Sequence, residues 1–338
     1  MVDAGYAADV RFATTSCNCL GFLGSALGGG QARTMGLYGM SVDQLISMNV
    51  VTAWGALIAV DPSNDDLWWA LKGAAPNFGI VTSATVKAYA VPQAQNVVWT
   101  GTIVFADDRL EEFISIINDL YLQPEMQIHF LFSSAANGST SITAIPFYIG
   151  STAEGRQAFK SILDIGYISD TTAELPYPQW NEVADPFCSR GGRKPGYGVS
   201  MNNLDPQEWR SVYEDFKGLI KRYPFARKSI ILAENYPVNS TAVQNGAGSY
   251  PFRSVKTHAV ALPWYANASF DSTANQWGEQ VRSALRSTDG LQHNANYINF
   301  AHGDETLKDI YGESLPRLQA LKKQYDPLNR FNQWFPIV

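Results

Sequence analysis

The chain has 338 residues, of which 46% are hydrophobic and 17% charged, and its formal net charge at pH 7 is −6. This apolar content can offset the entropy of ordering the chain, so we expect a folded globular protein of roughly two domains. Acidic and basic residues are interspersed, which disfavours nucleic acid and anionic membranes as partners. The sequence shows neither an apolar run of membrane-spanning length nor a signal peptide in its first residues, so we expect a soluble chain.

The N-terminal part of the sequence predicts turns and strands. Seven glycines punctuate residues 15–40, which disfavours a long helix and favours turns where the backbone approaches a ligand or another strand. Residues 50–60 and 77–91 have the β-branched or alternating composition of strands, and residues 64–72 between them form a helical turn.

From about residue 98 the sequence predicts longer helices that alternate with paired strands. Asp107 begins an amphipathic helix, and residues 125–134 follow as a strand with a period of two. The Ser151–Glu154 segment has the form of a capping box ahead of a second helix.

The next helix is signalled by Asp205 as N-cap and Pro206 at the first helical position. Strands near 227–235 and 254–263 follow, with helices from about residues 272, 304 and 316. Because strand–turn–strand segments outnumber βαβ units, we predict an α+β fold with a large antiparallel sheet covered by helices on one face.

The cysteines and histidines do not indicate a metal site. Cys17, Cys19 and Cys188 are too few for a disulfide framework, and Cys17-x-Cys19 has no second pair to close a zinc site. Cys19 is therefore interpreted as a small buried hydrophobe. The cellular location stays open, because the glycosylation sequons would matter only in a secretory pathway; they begin at Asn137, Asn239 and Asn267.

Two separated segments resemble enzymes of the berberine-bridge type. The glycine-rich stretch GGGQARTMGLYG lacks the G-x-G-x-x-G pattern, which disfavours a classical dinucleotide fold. Residues 16–92 instead resemble the middle of the family's flavin-binding domain, and residues 297–337 resemble its C-terminal segment. The resemblance implies the remainder of a PCMH-type flavin domain over 1–92, a substrate domain over 93–290, and a C-terminal return over 291–338.

The same resemblance implies FAD as the cofactor. Cys17 stands where members of the family attach the flavin through sulfur, and Tyr297 and Asn299 match the Y-x-N part of a signature near the isoalloxazine ring. Phe300 replaces the last tyrosine of that signature. Further residues stand where the family's main chain approaches the cofactor, namely Gly28, Gly29, Gly30, Asn77, Gly79, Ile80 and Val81.

Glu234 and Tyr297 are the predicted catalytic residues. Glu234 lies in the otherwise apolar strand SIILAENYP, near the position of the family's catalytic base. Since an isolated buried acid costs free energy, the alternative is a structural salt bridge, with Arg253 as the candidate partner. Three aromatic residues could form a pocket wall or pack in the core: Tyr250, Trp264 and Tyr265.

Sixteen residues precede Cys17, far fewer than in the family, so we expect the cradle for the FAD pyrophosphate to be missing. Three functions follow as alternatives: an oxidase that uses O₂, a redox-neutral isomerase or cyclase with Glu234 as acid or base, and a non-catalytic partner subunit. The expected substrate is a small apolar natural product, with an oligosaccharide second. Surface uncovered by the missing lobe would favour a homo-oligomer or a partner chain.

Overall fold

The structure is a computed structural model that describes residues 1–244 and 247–338. In chain order the strands are β1 Val10–Arg11, β2 Leu45–Val51, β3 Leu57–Val60, β4 Ile80–Val86, β5 Tyr89–Ala90, β6 Val97–Thr100, β7 Ile103–Phe105, β8 Met126–Ser134, β9 Thr140–Ile149, β10 Ser169–Asp170, β11 Ala173–Pro176, β12 Tyr197–Met201, β13 Ile230–Asn235 and β14 Thr257–Leu262. The α-helices are α1 Val2–Ala7, α2 Phe22–Ala26, α3 Met35–Tyr38, α4 Asp65–Ala74, α5 Leu110–Asp119, α6 Thr152–Ala158, α7 Lys160–Leu163, α8 Pro206–Arg222, α9 Thr241–Gln244, α10 Asp271–Ser287, α11 Leu307–Tyr311 and α12 Leu315–Tyr325.

The larger of the two main sheets has nine strands, each antiparallel to its neighbours. Its main path runs β10-β7-β9-β8-β13-β14-β12, and β6 joins β9 to β11. Helices α5, α8 and α10 bury apolar residues against one face, where Phe113, Phe130 and Trp209 share a core. The predicted α+β fold, with helices on a large antiparallel sheet, is confirmed.

Strand β13 shows how this sheet separates core from cavity. Successive side chains of a strand point to opposite faces. Ile231 and Ala233 therefore join the helix-side core, while Leu232 and Glu234 line a cavity on the other face. A register shift of one residue would bury the carboxylate among the helices, so the apolar pattern of the strand determines where Glu234 points.

The smaller sheet has three strands in the order β3-β2-β4. The prediction of one strand over residues 50–60 is wrong, because β2 and β3 form an antiparallel hairpin around a turn. Gly55 in that turn has a φ of +78°, a conformation that glycine adopts at little cost. Helices α11 and α12 pack Ile310 and Leu318 into the core of this sheet, so the C-terminal segment returns to the N-terminal part of the chain.

The small sheet and its hairpin turn expose several large hydrophobic side chains. Five large hydrophobic side chains on its strands and turn are between 36% and 64% exposed: Ile46, Trp54, Leu57, Ile58 and Ile80. The partner chain or homo-oligomer expected from the sequence stays a prediction.

The helix starts follow the capping signals in the sequence. The Ser151 hydroxyl accepts from the Glu154 backbone N–H, while the Glu154 carboxylate accepts from the Ser151 backbone N–H at 2.9 Å. Asp205 accepts from two backbone N–H groups in the first turn of α8. The helix predicted to begin at Asp304 begins later, because the Thr306 hydroxyl caps α11 by accepting from Asp309.

Candidate active site

A cavity of about 760 Å³ lies between the large sheet and the glycine-rich N-terminal segment. Four strands supply an apolar wall on the sheet side, formed by Leu131, Ile145, Leu232 and Val260. The facing wall comes from Gly24, Ser25 and Gly28, together with Phe300 and Ala301 of the C-terminal segment. The 3₁₀ segment Glu182–Cys188 closes a third side through Val183, Ala184 and Phe187. This is the size and composition of a small-molecule site.

A row of polar side chains crosses the apolar wall. Ser200, His258, Glu234 and His129 are consecutive cross-strand neighbours on β12, β14, β13 and β8. All four are buried. Because antiparallel pairing aligns residues from distant parts of the chain on one face, this row exists only in the folded sheet.

Glu234 is only 7% exposed and has two close polar neighbours. The Tyr236 hydroxyl donates to its Oε2 at 2.5 Å, and His129 Nδ1 lies 3.7 Å from its Oε1. Burial raises the pKa of Glu234, while the bond from Tyr236 and the charge of Arg33 oppose that rise. Burial also holds the pKa of His129 well below its usual range, so this imidazole is neutral at pH 7.

The suggested salt bridge between Glu234 and Arg253 is wrong. Both terminal nitrogens of Arg253 donate to the Asp43 carboxylate at 2.8 Å. Asp43 belongs to the first part of the chain, and its bidentate pair with Arg253 satisfies that guanidinium. Among residues 1–244 and 247–338, no lysine or arginine lies within ion-pair distance of Glu234, and the imidazole beside it, His129, is neutral.

Tyr297 lies in the cavity lining with its oxygen held by two donors. The Gln31 backbone N–H donates to this oxygen at 3.1 Å, and the Asn299 side-chain amide donates at 2.8 Å. Burial raises the pKa of Tyr297 to about 12, so the phenol keeps its proton at neutral pH. With its oxygen already accepting two bonds, the hydroxyl is free to donate to a bound molecule.

His258 is connected to Tyr297 through hydrogen bonds with Ser200 and Gln31. Its Nδ1 is 2.8 Å from the Ser200 hydroxyl, which in turn accepts from the Tyr297 backbone N–H at 3.2 Å. The Gln31 side chain lies 3.0 Å from its other ring nitrogen. Burial lowers the pKa of His258 to about 3, so it is neutral. Sequence reasoning missed this network, because no local pattern links residues 31, 200, 258 and 297.

The three cysteines meet at the edge of the cavity. Cys19 and Cys188 form a disulfide, and the free Cys17 sulfur lies 3.0 Å and 3.2 Å from their sulfurs. The interpretation of Cys19 as a buried hydrophobe is wrong, since it is exposed and cross-linked. The three sulfur atoms lie within 4.8 Å of one another, but two of them belong to the disulfide. Burial raises the pKa of the Cys17 thiol.

The structure brings together some of the residues predicted to approach the flavin. Cys17, Gly28 and Asn299 line the cavity beside Glu234 and Tyr297. Gly29 and Gly30 adopt φ values of +110° and +73° behind this wall, where a Cβ would collide with Tyr250 or Ser41. The glycines are therefore required by the backbone and by close packing.

Other predicted residues lie elsewhere. Asn77 binds the C-terminal tail, accepting from the Ile337 backbone N–H and donating to the Tyr311 hydroxyl. Three residues lie at the start of β4 or just before it, outside the cavity lining: Gly79, Ile80 and Val81. The three predicted pocket aromatics are also outside the lining, namely Tyr250, Trp264 and Tyr265. Their roles stay predictions.

The lining residues fit a flat aromatic ring. Gly21 and Gly24 border the cavity, and a Cβ on either would point into open space. The missing side chains leave room for a planar group to approach the backbone, and the Cys17 thiol lies on the same border. The isoalloxazine ring of a flavin is such a group.

A broad antiparallel sheet, facing a glycine-rich segment to which the C-terminus returns, is the arrangement found in flavin oxidoreductases of the PCMH type. Residues 296–336 match the family model described as "Berberine and berberine like". The chain is 36% identical over 340 residues to FAD-linked oxidoreductase OXR1 of Pyricularia oryzae, covering 96% of this chain and 67% of that protein. It is 30% identical over 344 residues to FAD-linked oxidoreductase anuG of Penicillium roqueforti, with the same two coverages.

The fold agrees with the solved structure of BBE-like #28 from Arabidopsis thaliana. The TM-score is 0.84 at 15% identity, over 99% of this chain and 76% of that one. The chain belongs to the berberine-bridge-like family of FAD-linked oxidoreductases. It is an enzyme of the oxidoreductase class, and FAD is the cofactor that its family implies. Across residues 1–244 and 247–338, none of the helices has the length and apolar content needed to cross a membrane.

Proposed function

We propose that the protein is an oxidase that takes a hydride from a small, largely apolar natural-product-like molecule and uses O₂ as the final acceptor. The observation that carries this proposal is the position of Glu234, a buried carboxylate in an apolar cavity that also holds Tyr297. A carboxylate in this setting is suited to remove a proton from a substrate hydroxyl as hydride leaves.

Glu234 is the proposed base. Tyr236 donates to its Oε2 and so fixes the carboxylate at the cavity wall. Desolvation raises its pKa, which makes the carboxylate a stronger proton acceptor than an exposed glutamate. The neutral His129 ring beside Oε1 adds no competing positive charge.

Tyr297 is the proposed second catalytic residue. Gln31 and Asn299 donate to its oxygen, so its own proton can bind the oxygen of the reacting group. This donor would hold the substrate oxygen while Glu234 takes the proton. Both residues line the same cavity, which allows one bound molecule to contact both.

The chemistry that FAD supplies when bound is acceptance of the hydride, with its two electrons, and their transfer to O₂ to give hydrogen peroxide. Cys17, Gly28 and Asn299 are the residues that would hold the ring end, and Cys17 is the proposed point of covalent attachment. A thiol at the cavity edge supports this proposal, since sulfur can add to the ring.

The first test is the absorbance spectrum of the purified full chain before and after denaturation. We expect a flavin band that stays with the protein after denaturation and is released in Cys17→Ser. The second test is substrate-dependent release of hydrogen peroxide with a panel of small aromatic alcohols. A colourless protein that still converts a substrate would replace the oxidase proposal with the redox-neutral isomerase or cyclase.

Glu234→Gln tests the base directly. It keeps the shape and the bond from Tyr236 but removes proton acceptance, so we expect kcat to fall about 10²–10⁴-fold. The matched control is Glu313→Gln, an exposed glutamate outside the cavity lining. Equal turnover in both variants would remove Glu234 from the mechanism.

A further inference from the structure

Arg33 is a buried cation in the cavity wall that the oxidase mechanism does not use. It follows the glycine triplet in the sequence GGGQAR and is only 3% exposed. Its side chain lines the same cavity as Glu234 and His129. The sequence shows no cluster of basic residues, and a single arginine in a glycine-rich segment gave no signal of its own.

The contacts of Arg33 hold its side chain in place but leave donors unused. Its Nε donates to the Asn181 side-chain oxygen at 3.3 Å, and its guanidinium lies 4.8 Å from the centre of the Phe147 ring. Asn181 is itself fixed by donating to the Thr15 backbone oxygen at 3.0 Å. The terminal nitrogen Nη1 is buried and has no hydrogen-bond partner among the described residues.

A buried guanidinium without a carboxylate partner is expensive, because its charge has lost water and Nη1 has gained no acceptor. Burial lowers the pKa of Arg33, yet arginine stays charged in proteins. The Glu234 carboxylate lines the same cavity but accepts its hydrogen bond from Tyr236. The cavity wall therefore contains a positive charge with one unpaired buried donor, Nη1, beside apolar residues.

We propose that Arg33 binds a carboxylate of the substrate, while the apolar sheet wall holds the rest of the molecule. A guanidinium matches the planar, charged oxygens of a carboxylate, and such bonds are stronger than neutral ones. The substrate class is thus an aromatic or alicyclic acid. This inference rests on the proposed function only in treating the bound molecule as a substrate.

Binding of benzoate, with benzamide as its uncharged isostere, tests the inference without turnover. Isothermal titration of the unmodified protein should show benzoate binding at least about ten-fold more tightly than benzamide, as expected for a charge-assisted hydrogen bond. This comparison needs no variant. Equal affinities would overturn the proposal even if the protein proves to be an active flavin oxidase.

Two variants locate the preference. Arg33→Met keeps an apolar side chain of similar length but removes the charge and the donors, and we expect the preference for benzoate to disappear. Lys194→Met is the matched control, because Lys194 also lines the cavity but its ammonium donates to the Ser189 backbone oxygen. Circular dichroism checks that both variants are folded. A preference that survives in Arg33→Met, or is lost only in Lys194→Met, would also overturn the assignment to Arg33.

A redox-inactive protein with a benzoate preference that depends on Arg33 would leave the anion site standing while removing the oxidase proposal. The two proposals therefore fail separately. Arg33→Lys gives a further check, because it retains the charge but not the planar group. We expect it to recover part of the preference lost in Arg33→Met.

Discussion

The disulfide between Cys19 and Cys188 is expected to stabilise both the fold and the cavity. It joins the loop that carries Cys17 to the 3₁₀ segment that carries Val183 and Phe187, so it ties two cavity walls together. The perturbation is its removal, either by a reductant or by the double variant Cys19→Ser/Cys188→Ser. Cys19 is exposed, so a reductant can reach the bond.

The size of the effect follows from the length of chain that the bond closes. The two cysteines are 169 residues apart, and the chain-entropy treatment gives an upper limit of about 5 kcal/mol for a loop of that length. Measured values are commonly about 2–4 kcal/mol. For 338 residues the entropy of unfolding is about 0.7 kcal/mol per kelvin, so Tm should fall by about 3–7 °C.

The assay is a thermal melt at a fixed scan rate, with and without reductant. The double variant is the control for the reductant, because it has no disulfide to reduce. Reductant should lower the Tm of the unmodified protein to that of the double variant and should leave the Tm of the double variant unchanged. An unchanged Tm in reductant, with mass spectrometry showing all three thiols free, would refute the reasoning.

Three further outcomes are expected from the buried groups. Burial lowers the pKa of His258 to about 3, so below pH 6.5 the unfolded chain binds more protons than the folded one. The contribution of His258 to the free energy of unfolding should therefore fall by about 1.4 kcal/mol per pH unit as the pH drops. Urea titrations of the protein and of His258→Gln at several pH values measure this contribution. Lys322→Met should cost about 3–5 kcal/mol in urea unfolding, because it strands the buried carboxylate of Asp326, 2.7 Å from the ammonium; an unchanged midpoint would contradict this. Gly278→Ala should destabilise the protein by about 1–3 kcal/mol, since the added methyl group overlaps a tyrosine ring. Gly218→Ala, where the methyl group would point into open space on another helix, should stabilise it by about 0.5–1 kcal/mol. Calorimetry of the two variants distinguishes these outcomes.

Local signals in the sequence were sufficient to predict where several helices begin and that the fold is of the α+β class. The capping residues Ser151 and Asp205 begin their helices as predicted, because capping depends on residues only a few positions apart. The alternation in SIILAENYP placed Glu234 on the face opposite the helix-side core. The hairpin within residues 50–60 was missed, because a strand composition on both sides of a short turn hides the reversal.

The partners of the site residues were decided only by the tertiary structure. Glu234 pairs with Tyr236 and lies beside His129, whereas the Arg253 suggested from the sequence binds Asp43. Arg33 carries no local sign of its role, since its burial depends on strands more than a hundred residues away. The local sequence pattern determines the secondary structure and the face of the sheet to which a side chain points. Pairing between distant strands determines which charged side chains come into contact and which are left unpaired.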